Sequence, residues 1–139
     1  MIIVIRIAGM VEIPEGVQAT LYHMRLRRKY SAVIMHETPE NMKLIMNVRN
    51  FIAFGKISED NLLKIISLRG ESLKSKSKID AKAIVAGLDK KSLEELGLKP
   101  FFRLHPPRKG IESKKHFGVG KGVLGDNKEN INKLLERML

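Results

Sequence analysis

The sequence predicts an α+β protein: a small β-α-β-α-β core, a helical insertion, and a basic Gly/Pro-rich extension closed by a helix. Three observations predict this. Met1–Ala8, MIIVIRIA, is a nearly continuous β-branched run interrupted only by Arg6, too short for a helix and apolar enough for a strand buried on both faces. In the following VQATLYHMRLRRKY, Val17, Leu21 and Met24 recur at i, i+4 and i+7, one face of a helix. Thr38-Pro39-Glu40 is then a second helix start, with a capping hydroxyl, a proline whose φ is pre-set for the first helical position, and an acid at the positive dipole end.

Taken in order, residues 1–57 form the core. Gly9, Pro14 and Gly16 break any regular element between the first strand and the first helix. That helix is expected over Val17–Lys29, with Arg25, Arg27, Arg28 and Lys29 in its last turn, where cations favour the negative end of the helix dipole. Ala32–His36 is a second short apolar strand. The second helix runs from Thr38 to about Arg49; Met42, Leu44, Ile45, Met46 and Val48 make its apolar face broad, so it is expected to be largely buried. Phe51–Phe54 is a third strand, stopped by Gly55. Both helices are available to cover one face of the sheet, and the pattern leaves strand order open.

Residues 58–98 are the insertion. Ser58 caps a helix to Leu68, with Glu59 and Asp60 in its first turn and Gly70 just past its end. Glu71–Lys78 is a polar loop. Ile79–Ala86 suits a helix or a strand, and Asp89–Leu96 suits a short helix. Residues 99–139 are the extension. Prolines at 100, 106 and 107 and five glycines from Gly110 onward leave no clear period beyond Phe101–Leu104. Asp126-Asn127-Lys128-Glu129 has the spacing of a capping box, and Ile131, Leu134, Leu135 and Met138 give the last helix one apolar stripe with which to dock on the body. At 139 residues the whole suits one compact domain.

The net charge of +11 calls for a polyanionic partner, nucleic acid before membrane. Its distribution is uneven: +4 in residues 1–57, +1 in 58–98, +6 in 99–125 and zero in 126–139. The insertion is thus expected to be structural. A membrane-surface helix would want Trp or Phe on an apolar face; the most basic stretch is instead rich in Gly and Pro, and there is no Trp. The apolar N-terminus lacks the basic start and the cleavage site of a secretory signal, and no run approaches the roughly 18 apolar residues of a membrane span. The expected location is cytoplasmic.

In the extension, KPFFRLHPPRKGIESKKHFGVGKGVLG, Arg103, Arg108, Lys109, Lys114, Lys115 and Lys121 can neutralise phosphates, while His116 and Phe117 can stack on unpaired bases. Gly118–Gly122 fails as a phosphate loop, having neither the spacing nor the Ser/Thr after its lysine. With no cysteine and no metal spacing among His23, His36, His105 and His116, neither a cofactor nor a metal nor a small-molecule substrate is expected. The alternative to a binding role is an RNA-processing enzyme or accessory subunit using His105 and His116 as acid and base.

Two signatures carry a family resemblance. Thr20-Leu21-x-x-Met24-x-Leu26-x-Arg28-x-x-Ser31-x-Val33, followed after ten residues by Leu44-Ile45-x-x-Val48-x-x-Phe51-Ile52, resembles the large-subunit ribosomal protein family called L-thirty in bacteria and archaea and L-seven in eukaryotes. Met24 stands where Leu or Phe is usual and fills the same space. PFFRLHPPRKG and HFGVGKGVLGDNKENINKLLERM are similar to the longer archaeal and eukaryotic members, and the lack of a long basic N-terminal arm points to the archaeal type. The resemblance implies a core with some likeness to the ferredoxin fold, a three-stranded antiparallel sheet with its first strand central, and no catalysis. It implies a structural role on large-subunit ribosomal RNA beside neighbouring ribosomal proteins. Arg25, Arg27, Arg28 and Lys29 would form one contact region and the cations of the extension the other.

Overall fold

The structure, a computed structural model, describes residues 2–7, 13–36, 38–69, 81–87, 101–107, 113–116, 122–127 and 130–138. The strands are β1 (Ile2–Arg6), β2 (Ser31–Met35), β3 (Ile52–Lys56), β4 (Phe102–Arg103), β5 (Ser113–His116) and β6 (Gly122–Asp126). The helices are α1 (Glu15–His23), α2 (Pro39–Asn47), α3 (Glu59–Arg69), α4 (Ala81–Gly87) and α5 (Ile131–Met138). Among the described residues the sheet order is β4-β2-β1-β3-β6-β5. The β-α-β-α-β core is as expected. β1 lies between β2 and β3 and is antiparallel to both, with Val4 opposite Val33 on one side and Phe54 on the other.

This central position explains the continuous apolar run. Alternate side chains of a strand point to opposite faces. Ile3 and Ile5 enter a core completed by α3, α4 and α5, through Leu62, Ile65, Ile66, Ile84, Leu134 and Leu135. Ile2 and Val4 enter a second core beneath α1 and α2, through Leu21, Met24, Ile45 and Val48. Both faces of β1 are therefore dry, and every residue of the strand is buried.

Several boundaries differ from expectation, each for a physical reason. α1 stops at His23 rather than Lys29, because Leu26 lies well off the Val17–Leu21–Met24 stripe and is buried only if the chain turns back. α2 buries fewer residues than its composition suggested. Met42, Ile45 and Val48 form a single stripe, of which Ile45 and Val48 are fully buried, whereas Met46, one residue round the helix, is exposed. Gly55 does not stop β3: it sits inside the strand opposite Ile3 and is buried. Residues 81–87, ambiguous in sequence, are helical.

The helix starts behave as their caps predict. The Thr38 hydroxyl accepts from the Asn41 N–H at 3.2 Å, and the Ser58 hydroxyl from the Asn61 N–H at 3.3 Å.

The extension holds more structure than its composition indicated. β4 extends the sheet beyond β2, pairing Ala32 with Phe102 and Ser31 with Arg103. β6 adds in parallel to β3 on the other side, and β5 in parallel to β6. These short segments have little strand propensity of their own; existing sheet edges recruit them. Asp126 lies in β6, opposite Phe54, rather than at the start of the last helix, and α5 begins at Ile131. The expected stripe on α5 holds, with Ile131, Leu134, Leu135 and Met138 all buried. The polar loop at 71–78, the expected helix at 89–96, and Lys128 and Glu129 lie outside the described residues. No helix among the described residues is long and apolar enough to cross a membrane.

Candidate nucleic-acid interface

The first basic cluster is not a helical turn but a pinned loop. At the end of α1, the Arg25 N–H donates to the Tyr22 carbonyl at 3.0 Å, and the Leu26 N–H reaches back to the Leu21 carbonyl at 2.9 Å. This pair of bonds is the Schellman closure, which satisfies carbonyls that a helix end otherwise leaves open. Leu21 and Leu26, which the closure brings together, are both completely buried. The motif usually places glycine where Arg25 stands. Here Arg25 takes φ 67°, and Tyr30, at the far end of the loop, takes φ 66°. An L-residue in that region costs about 1–2 kcal/mol, so the surrounding bonds must hold it there.

Arg6 supplies two of those bonds. It is the last residue of β1, and only 1% of it is exposed. Its Nη1 donates to the Leu26 carbonyl at 2.7 Å, while its own carbonyl accepts from the Tyr30 N–H at 2.7 Å. Burial pushes the Arg6 guanidinium below its ordinary pKa. Further along, the Ser31 N–H donates to the Arg28 carbonyl at 3.2 Å and the Leu104 N–H to the Tyr30 carbonyl at 3.1 Å. The loop is thus fastened to α1, β1, β2 and the strand-like segment after β4.

With Leu26 driven inward, Arg25, Arg27, Arg28 and Lys29 all remain exposed. Arg103 joins them. The pairing of Ser31 with Arg103 places this exposed arginine of the extension beside the end of the loop, so cations from the two basic regions of the sequence meet. Aromatic rings are interleaved with them: the Arg27 guanidinium lies 4.3 Å from the Tyr22 ring centre, the Lys29 ammonium 5.0 Å from Tyr30, and the Arg103 guanidinium 5.8 Å from Phe101. The arrangement is a cationic surface with flat apolar faces in it, suited to phosphates and stacked bases rather than to bond-making chemistry.

Of the other expected contact residues, Lys114, Lys115 and His116 lie on β5, where the backbone alone is described; Arg108, Lys109, Phe117 and Lys121 lie outside the described residues. His105 is exposed, and its N–H ties the segment after β4 to the Met138 carbonyl at 3.0 Å. Among the described residues no three of His, Asp or Glu come together as a metal site. Sequence reasoning overlooked Tyr22, Tyr30 and Arg6. The two tyrosines stood in the same basic stretch and were readable as its aromatic partners, whereas the lone charge within an apolar strand was the sign that Arg6 serves a buried acceptor.

Comparison with known proteins follows the same residues. A family model described as Ribosomal protein L30p/L7e matches residues 2–52, from β1 to the first residue of β3, the pinned loop included. The chain is 37% identical to large ribosomal subunit protein uL30 of Archaeoglobus fulgidus over 99% of both chains. It is 35% identical to the uL30 of Methanosphaera stadtmanae over 98% of both, and 36% identical to that of Methanobrevibacter smithii over the whole of both. The relatives are named as ribosomal subunit proteins, not as enzymes, and they are archaeal. Similarity at this level over the full length leaves one conclusion: the chain belongs to the uL30 family of large ribosomal subunit proteins.

Proposed function

We propose that this chain is a structural constituent of the large ribosomal subunit, binding and stabilising folded large-subunit ribosomal RNA through basic side chains, beside neighbouring ribosomal proteins. The observation that carries the reading is the pinned loop, whose backbone is bonded to α1 and β1 and which presents four exposed cations, with Arg103 alongside. Prepaid order of this kind lowers the entropy lost on binding. The first contact region is Arg25, Arg27, Arg28 and Lys29. The second is Arg103, Arg108, Lys109, Lys114, Lys115 and Lys121, with His116 and Phe117 as stacking groups; residues 58–98 serve as scaffold. If about six phosphates are engaged, log affinity falls with log salt at a slope of roughly −4 to −5.

The test is sedimentation of the tagged chain in lysate of its own source at low and high salt, with sequencing of the RNA that accompanies it. Salt-resistant migration with large subunits is the expected result. Migration as a free small protein, or with varied short RNAs, would overturn the reading and favour RNA processing by His105 and His116.

A further inference from the structure

We propose that Tyr22, backed by Arg27, is a stacking platform for one unpaired RNA base, which lodges in the hollow along the outer face of α1. This rests on the RNA-binding reading above and adds to it a base-contacting residue and the orientation of the nucleotide.

Exposure alone does not make the case, since scattered surface apolar groups are ordinary. What distinguishes Tyr22 is that it is 57% exposed and at the same time held. It sits in the last turn of α1, its carbonyl is engaged by the Arg25 N–H, and the Arg27 guanidinium lies over its ring at 4.3 Å. The ring is also one wall of a shallow hollow of about 500 Å³ lined by Glu15, Gln18, Ala19, Tyr22 and His23. Glu15, Gln18, Ala19 and Tyr22 follow each other at i, i+3, i+4 and i+7, so they share one helix face. Ala19 leaves the space between the longer side chains, and Arg27 takes no part in lining the hollow. A planar group entering there can meet the Tyr22 ring.

Charge sets the orientation. The hollow carries the Glu15 carboxylate, whereas Arg25, Arg27, Arg28 and Lys29 lie beyond the C-terminal end of the helix. A phosphate is repelled from the first and attracted to the second. A nucleotide bound across this boundary therefore places its backbone on the loop and its base against Tyr22, where the side-chain oxygens of Glu15 and Gln18 can accept from the N–H groups of the base edge.

The experiment uses the full chain and deproteinised large-subunit ribosomal RNA from the same source, with affinity measured across a salt series and 254 nm zero-length crosslinks mapped by mass spectrometry. Tyr22→Ala is expected to weaken binding by about 5- to 150-fold, the worth of one base–aromatic stack, without changing the salt slope, because no phosphate contact is removed. Tyr22→Phe keeps the ring and recovers most of that loss. In the unaltered chain a nucleotide adduct maps to Tyr22. Tyr22→Ala binding as tightly as the unaltered chain, with no adduct at Tyr22, overturns the platform and leaves phosphate binding by the loop in place. Failure of the unaltered chain to bind this RNA overturns both readings. Since the adduct is read on the unaltered protein, a folding defect in Tyr22→Ala cannot mask the answer.

Discussion

Replacing Arg6 by methionine should weaken RNA binding although Arg6 is too deeply buried to touch RNA. Methionine is an unbranched side chain that leaves little cavity, so the change chiefly removes the guanidinium. Lost with it is the 2.7 Å bond from Nη1 to the Leu26 carbonyl, in the middle of the cationic loop. A bond from a charged donor contributes about 1.5–3 kcal/mol, and the carbonyl left behind is buried. Part of that loss is offset, because burial already disfavours the Arg6 charge, as its lowered pKa shows. A net cost of about 2 kcal/mol corresponds, at about 4 °C per kcal/mol for a chain of this length, to a melting temperature lower by about 8 °C. If all of that energy were drawn from the order of the loop, affinity for the ribosomal RNA would fall by up to about 30-fold. Arg6→Lys tests geometry against charge: it keeps the cation but not the planar fork, and should lose affinity as well. Thermal melts followed by circular dichroism, with filter binding below the melting range, measure both effects. Variants that melt as the parent does and bind with unchanged affinity would refute the claim that Arg6 positions the loop.

Other expectations follow from the same contacts. Arg25→Gly relieves the positive φ at Arg25 and should raise stability by about 1 kcal/mol while weakening RNA binding; a denaturant midpoint and a binding titration moving in opposite senses would show it. Asn132→Ala removes a side chain whose Oδ1 accepts from the Ser58 N–H and Asn61 Nδ2, and whose Nδ2 donates to the Lys56 carbonyl. It should cost about 2–3 kcal/mol in urea denaturation and loosen α5 from β3, seen as faster amide exchange in residues 131–138. Thr38→Ala removes the cap of α2 and should cost about 1 kcal/mol, with RNA affinity unaltered once folding is corrected for.

The order of elements in the core was legible because burial imposes a period on the sequence. β1 had to be apolar on both faces, the start of α2 announced itself through Thr38 and Pro39, and the stripe on α5 matched the side chains that reached the core. The candidate cations Arg25, Arg27, Arg28, Lys29 and Arg103 were named from charge and context, and the structure leaves all five exposed. Local patterns speak for segments that carry their own stabilising contacts, and these elements do.

What the sequence could not express is what depends on a partner segment far along the chain. Arg25 closes α1 without the glycine that would have marked the end, because the bonds from Arg6, Leu21 and Tyr22 to the loop outweigh the strain. Gly55 stays within β3 because β1 pairs with it. β4, β5 and β6 exist because neighbouring strand edges recruit short, weakly patterned segments. By itself the sequence determined the fold class and the succession of core elements, which follow from periodicity, while its two signatures carried the resemblance to the family. Tertiary structure alone decided that the loop after His23 is tied to Arg6 and that Arg103 joins the first basic cluster, because each of these depends on a hydrogen bond or sheet pairing with a distant segment that no local spacing encodes.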